Sequence, residues 1–129
     1  MLRSYELIEF LCFQLDLIPV YKKSRKSYSL FTMNGIKIAE IPLKKGFNFA
    51  IRLAEFSPQK EKVFAKKYKV ERIGKFSFGM TGETNLQFGI ALDMVEAWKK
   101  KRLINAEKCH RINWEKVPKW YKVRRKIWI

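Results

Sequence analysis

The fold is decided by the stretch that reads YSLFTMNGIKIAEI over residues 28–41. Its centre, Asn34-Gly35, is the strongest short signal for a β-hairpin, because both residues accept the positive backbone φ of a tight turn. Apolar residues recur at about every second position on either side of this turn, as they do in half-buried strands. The stretch therefore predicts two antiparallel strands joined at Asn34-Gly35.

The residues around this hairpin extend it into a meander. Lys44-Lys45-Gly46 predicts a second turn, and residues 47–53, which read FNFAIRL, alternate again. We therefore expect an antiparallel β-meander over about residues 28–54, preceded by a polar loop at residues 22–27.

Helices are predicted on both sides of the meander. Apolar residues at spacings of three and four predict an N-terminal helix over residues 2–17, which ends because Pro19 follows. Ser57 and Pro58 have the pattern of a helix start and predict a second helix that runs to about residue 72.

The second half of the chain predicts further strands and a third helix. Residues 76–78 and 86–92 are rich in apolar residues and indicate further strands within residues 76–92. Asp93, with Glu96 three residues later, has the pattern of a reciprocal helix cap, so the third helix is expected over residues 93–108.

This order of elements predicts a small α+β domain. The antiparallel meander and further strands would be packed by the N-terminal helix and the two later helices. We place this single domain at residues 1–108. Residues 109–129 form a basic, Trp-rich C-terminal extension that we expect to pack on the same domain.

The charge of the chain indicates the class of its partner. The 129 residues include 28 Lys or Arg and 12 Asp or Glu, which gives a formal net charge of +16. Residues 99–129 alone carry twelve cations against two carboxylates. Such a charge favours polyanions, nucleic acid above all. An aromatic content of 15% excludes a disordered basic tail, and the length excludes a multidomain enzyme.

Three basic segments supply the candidate nucleic-acid-binding residues. Their cations would neutralise phosphates, and Trp120 or Tyr121 would stack on bases. The candidates are Lys22, Lys23, Arg25, Lys26, Lys66, Lys67, Lys99, Lys100, Lys101, Arg102, Arg111, Lys119, Trp120, Tyr121, Lys122, Arg124, Arg125 and Lys126.

No catalytic or metal-binding motif is found in the sequence, and we predict neither an enzyme nor a cofactor. The chain's one histidine, His110, follows Cys109 without the partner ligands of a zinc site. A magnesium nuclease would need Glu-x-Lys or Asp-x-Lys, which is absent. Glu40, three residues after Lys37, is the best lone carboxylate, and a solvent-facing strand position explains it.

The cysteine pattern and hydropathy predict a compartment. Cys12 and Cys109 lie almost a full chain apart, which does not fit a disulfide framework. Neither a signal peptide nor a membrane span is predicted, so we expect a cytoplasmic protein.

Three functions from different classes fit these observations. The first is a largely sequence-nonspecific nucleic-acid-binding protein, with the choice between DNA and RNA open. The second is an accessory or inhibitor protein whose basic face docks on an acidic protein partner. The third is a small metal-dependent nuclease without a recognisable motif.

Overall fold

The computed structural model describes residues 3–43, 49–54, 63, 65–74, 77–80, 84–105 and 109–126. These residues form an α+β structure on one antiparallel sheet, as the sequence predicts. The strands are β1 (Ile18–Lys22), β2 (Ser27–Phe31), β3 (Lys37–Pro42), β4 (Phe49–Leu53), β5 (Glu71–Gly74) and β6 (Ser77–Met80). Their spatial order is β1-β2-β3-β4-β6-β5.

The α-helices of the described residues include α1 (Arg3–Leu15), α2 (Thr84–Asn105) and α3 (Lys119–Arg124). Short 3-10 helices cover Lys23–Arg25 and Trp114–Lys116, and residues 65–68 are also helical. The core lies where α1 and α2 pack on each other and on the central strands. Its fully buried side chains include Leu7, Leu11, Leu30, Ile41 and Ile51.

The β2–β3 hairpin forms at the predicted turn. Thr32 and Ile36 close it with a backbone hydrogen bond of 2.9 Å. Gly35 has a φ of +87°, which L side chains rarely adopt, and the backbone of His110 lies directly against it. Gly35 is therefore required both by the turn and by the chain that packs over it.

The first helix and the loop after it differ slightly from the prediction. Pro19 does follow α1, but it lies in β1, a strand that the sequence did not indicate. A proline is compatible with this position because β1 is at the edge of the sheet. The expected loop at residues 22–27 contains the 3-10 helix Lys23–Arg25.

The predicted strand at residues 86–92 is wrong, because these residues belong to α2. The apolar residues alternate within this short run, but burial follows a helical period over a longer window. The buried positions are Gln87, Ala91, Met94, Val95 and Trp98, which are three, four or one residue apart. The supposed cap at Asp93 is wrong for the same reason, since Asp93 lies inside α2.

The predicted helix at residues 58–72 is too long at its C-terminal end. Residues 65–68 are helical, Lys69 has a left-handed φ of 55°, and β5 begins at Glu71. Residues 58–62, where the helix was predicted to begin, lie outside the described residues.

Candidate anion-binding site

A cavity of about 350 Å³ lies beside the β2–β3 hairpin and the end of β4. Four cations and one carboxylate line it, together with the chain's only histidine. The charged lining residues are Arg25, Lys37, Glu40, Arg52 and Arg102, and His110, Leu53 and Ala54 complete the wall. We call this cavity the Glu40 pocket.

Glu40 is central to the pocket because β3 is an interior strand. It lies opposite Ser29 on β2 and opposite Arg52 on β4. Directly paired residues on neighbouring antiparallel strands project to the same face, so these three side chains form a row across the sheet. Glu40 is only 5% exposed, which corrects the expectation of a solvent-facing position.

A β-bulge brings Lys37 to the same carboxylate. Ala39 pairs with Leu30, but Lys37 pairs with Phe31, so Ile38 is an extra residue in β3. A bulge of this kind changes the strict alternation of side chains along a strand. Residues three apart in a regular strand point to opposite faces of the sheet. Because of the bulge, Lys37 Nζ nevertheless lies 3.1 Å from Glu40 Oε1.

Arg25 reaches the other oxygen of Glu40 from the 3-10 helix between β1 and β2. Its Nε lies 3.3 Å from Glu40 Oε2. Lys26 has a φ of 46° in the left-handed region and ends this single turn just before β2 begins. The Arg25 side chain is 49% exposed, so the ion pair stands at the mouth of the pocket.

Arg102 enters the pocket from α2. Its Nε donates a hydrogen bond of 3.1 Å to the backbone oxygen of Lys37, and the residue is 6% exposed. One helical turn earlier, Trp98 Nε1 donates to the backbone oxygen of Ala54 at 2.9 Å. These two bonds fix α2 against the start of β3 and the chain that follows β4.

His110 closes the pocket from the C-terminal part of the chain. Its backbone N–H donates to the backbone oxygen of Gly35 at 2.7 Å. Its ring meets the Phe31 ring edge-on, with 5.7 Å between the centroids. The side chain is otherwise exposed, and its ring makes no hydrogen bond to the described residues.

The Glu40 pocket has more positive than negative charge. Four cations face one carboxylate, and two of them, Arg25 and Lys37, pair with it. Within the described part of the chain, Arg52 makes neither a hydrogen bond nor an ion pair. Guanidinium groups bind phosphate and carboxylate through paired N–H donors. The pocket can therefore accept an oxyanion between cations that Glu40 does not neutralise.

The four consecutive cations at the end of α2 do not form one patch. Successive helical residues point about 100° apart, so four in a row face different directions. Lys99 Nζ donates to the backbone oxygen of Leu15 at 2.6 Å, and Lys100 pairs with Glu96 at 3.8 Å. Lys101 is exposed, whereas Arg102 points into the Glu40 pocket.

Three of the C-terminal candidates pack on α1. Tyr121 is 1% exposed and stacks on Phe13, with 5.6 Å between ring centroids. The Arg124 and Arg125 guanidinium carbons lie 3.9 and 4.8 Å from the centre of the same ring. Burial raises the pKa of the Tyr121 hydroxyl. Tyr121 has no free face for a base, so the stacking role we assigned to it is wrong.

The ion pairs of this C-terminal segment also connect it to α1. Arg124 pairs with Glu9, and Arg125 pairs with Asp16 at 3.3 Å. Trp120 is half-buried beside Phe13, with 6.2 Å between the ring centroids. Several cations that the sequence suggested for phosphate binding thus contact the protein itself.

A second surface combines aromatic rings with lysines. A groove of about 660 Å³ separates β1 and β2 from the C-terminal segment. Burial raises the pKa of the Tyr28 hydroxyl in its wall to about 12, with a smaller effect from the neighbouring Tyr5. The groove is lined by Tyr21, Tyr28, Glu115, Lys116, Val117, Pro118, Lys119 and Lys122.

The remaining candidates are exposed and scattered. They lie at the surface in four places: around the 3-10 helix Lys23–Arg25, on the helical segment at residues 65–68, directly after His110, and at the end of the described C-terminal segment. They are Lys22, Lys23, Lys26, Lys66, Lys67, Arg111 and Lys126.

Sequence reasoning found two of the pocket residues and missed others. Arg25 and Arg102 were candidates, whereas Arg52 and His110 were not expected to bind. The alternation in FNFAIRL places Arg52 on the face opposite Phe49 and Ile51, which was a usable signal. The position of His110 depends on a contact with the Gly35 turn, 75 residues earlier in the chain.

The described residues contain no group of three His, Cys, Asp or Glu side chains placed to hold a metal ion. None of the helices in the described segments has the length and apolar character that a bilayer span requires. No match to this chain was found among protein-family models, curated proteins or solved structures.

Proposed function

We propose that the protein binds nucleic acid without sequence preference, and that the Glu40 pocket accepts a phosphate of the backbone. The observation that carries the proposal is the guanidinium of Arg52, which pairs with none of the described residues and lines a pocket with four cations and one carboxylate. Backbone phosphates are the part of a nucleic acid that offers charge without sequence information.

Exposed cations neighbour two of the pocket residues along the chain. Lys23 and Lys26 flank Arg25 at the mouth, and Arg111 follows His110. A phosphate in the pocket would therefore place neighbouring phosphates near further positive charge. The groove beside Tyr21 offers a half-buried ring and three lysines, which suits a single strand better than a stiff duplex.

The test is a titration of labelled single-stranded RNA, single-stranded DNA and duplex DNA at a series of salt concentrations. Each phosphate contact on a single strand contributes about 0.7 to the slope of log K against log salt. We expect Arg52→Gln to weaken binding and to lower that slope by about one contact. Lys69→Gln removes one positive charge from an exposed residue outside the candidate set, and we expect it to leave both quantities nearly unchanged.

Absence of binding near physiological salt would overturn the proposal. An acidic protein partner is the other outcome that this design detects. If polyglutamate bound as tightly as nucleic acid and depended on Arg52 to the same extent, the accessory or inhibitor function would replace the one proposed.

A further inference from the structure

We infer that the Glu40 pocket cleaves RNA by internal transesterification, with Glu40 as general base and His110 as general acid. This inference rests on the proposed function and adds a substrate class and a reaction to it. The observation behind it is that one cavity contains a held carboxylate, an imidazole and four cations. These are the groups that the reaction requires.

The reaction needs a base, an acid and stabilisation of negative charge. The 2′-hydroxyl attacks the adjacent phosphorus, and its proton passes to the base. The bond from phosphorus to the 5′-oxygen breaks, and that oxygen takes a proton from the acid. The products are a 2′,3′-cyclic phosphate and a 5′-hydroxyl, so the step needs no oxidant, reductant or second substrate. General acids and bases each contribute about 10²–10⁴-fold to such reactions.

Glu40 is suited to the role of base because two cations fix its carboxylate in place and hydrogen-bond acceptor positions on its oxygens stay free. Lys37 binds Oε1 and Arg25 binds Oε2. A carboxylate offers about four acceptor sites, so positions on both oxygens stay available for a hydroxyl proton. The central place of Glu40 in the sheet keeps these oxygens fixed relative to Arg52 on the neighbouring strand.

The cations of the pocket suit the extra negative charge that develops on the phosphate oxygens. Arg52 makes no pair with the described residues, and Arg102 is held by the Lys37 carbonyl in a nearly buried position. Donors that are already positioned in a site shielded from water stabilise such charge most strongly, because they do not need to reorganise during the reaction.

His110 is suited to the role of acid because its backbone is fixed while its ring is accessible. The hydrogen bond to Gly35 holds the backbone, and the edge-on contact with Phe31 limits ring rotation. In the imidazolium form the ring donates a proton to the leaving 5′-oxygen. Exchange with solvent then restores the protonation of Glu40 and His110.

The experiment compares two oligonucleotides of one sequence, an all-ribose strand and the same strand with 2′-O-methyl groups. Both are incubated with the full chain in EDTA, and the products are separated on a gel and identified by mass spectrometry. We expect cleavage of the ribose strand alone, with 2′,3′-cyclic phosphate ends. We expect the 2′-O-methyl strand to bind with similar affinity and to stay intact, because its attacking hydroxyl is blocked.

Two variants test whether Glu40 acts as the base and His110 as the acid. Glu40→Gln and His110→Ala should each lower the cleavage rate by about 10²–10⁴-fold. His110→Ala changes an exposed side chain, so it is informative even if Glu40→Gln does not fold. Its affinity for the 2′-O-methyl strand should stay within about twofold of the parent, a range set by the small cost of surface substitutions. Lys69→Gln, which changes an exposed lysine outside the candidate set and is purified in parallel, should cleave at the parent rate.

The outcomes separate this inference from the proposed function. Binding of both strands without cleavage would overturn the inference and leave the function standing. Failure to bind either strand would overturn both. Cleavage that persists in both variants, or that needs magnesium and produces 5′-phosphate ends, would also overturn the inference.

Discussion

Arg52 lies directly opposite Glu40 across the β3–β4 ladder, yet the carboxylate of Glu40 binds Lys37 and Arg25 instead. Arg52 is thus left as a positive charge among other positive charges. Their mutual repulsion is tolerated in the folded protein, although burial of like charges opposes folding. This arrangement is typical of a site that is kept for a ligand at some expense in stability.

Replacement of Arg52 should therefore weaken RNA binding without lowering the stability of the fold. We expect Arg52→Gln to keep or raise the free energy of unfolding at low salt, because it removes repulsion without breaking an ion pair to any described residue. Urea denaturation measures this change, and the RNA titration should show weaker binding by the same variant. A clear loss of stability would mean that Arg52 has a structural role.

The two glycines Gly35 and Gly89 should respond oppositely to alanine. A Cβ at Gly35 would lie 1.8 Å from the backbone oxygen of His110, and the φ of +87° is unfavourable for alanine. We expect Gly35→Ala to lower the free energy of unfolding by more than about 1 kcal/mol. Gly89 lies in α2 with open space around its Cβ position, so Gly89→Ala should raise stability by about 0.5–1 kcal/mol. Chemical denaturation of both variants measures the difference, and equal effects would contradict the geometry at the turn.

The C-terminal end of α1 should depend on Arg125. Its Nη2 donates to the backbone oxygen of Cys12 at 3.1 Å, and its guanidinium lies on Phe13. Cations favour the negative end of the helix dipole, and α1 has none in its own last turn. We expect Arg125→Ala to destabilise the protein by about 1–3 kcal/mol in urea denaturation. The exposed neighbour Lys126 is the control, and Lys126→Ala should change stability by less than about 0.5 kcal/mol.

The two cysteines should differ sharply in reactivity. Cys12 is buried, and burial strongly raises the pKa of its thiol, whereas Cys109 is exposed. Only the thiolate reacts with disulfide reagents. We expect one thiol per native chain to react with such a reagent and two in denaturant. Cys109→Ser should leave no rapidly reacting thiol in the native protein, and rapid reaction of that variant would contradict the packing of α1.

Alkaline pH should weaken the fold through Tyr28. Its pKa rises from 10.0 to about 12 on folding, chiefly because of burial, so the folded state favours the neutral phenol. This contribution is fully present below pH 10 and is lost as pH rises through 12. The decline in the free energy of unfolding over this range should be smaller in Tyr28→Phe. Tyr121 acts in the same direction, so part of the decline should persist.

Local signals in the sequence predicted the hairpin, and longer-range geometry determined the rest. Asn34-Gly35 specifies its turn by backbone conformation alone, so the β2–β3 hairpin was predictable. The first turns of α2 were assigned to a strand because a short apolar run fits both the alternation of a strand and the period of a helix. Only the window that extends from Gln87 to Trp98 favours the helical period.

The Glu40 pocket was less predictable than the hairpin. The alignment of Ser29, Glu40 and Arg52 across the sheet depends on strand register. The pairing of Lys37 with Glu40 depends on the bulge at Ile38. The run Lys99–Arg102 offered a signal that sequence reasoning overlooked, since helical geometry requires its four side chains to diverge. The burial of Tyr121 was not predictable in this way, because its partner Phe13 lies on α1.

The Glu40 pocket is assembled from segments that begin at Arg25 and end at His110. A nascent chain on the ribosome therefore lacks the complete pocket until His110 has left the exit tunnel. The enclosed arrangement of charges forms only when the hairpin, the end of α2 and the Gly35 turn have come together. Translation itself thus delays completion of the pocket until Arg102 and His110 have both been made.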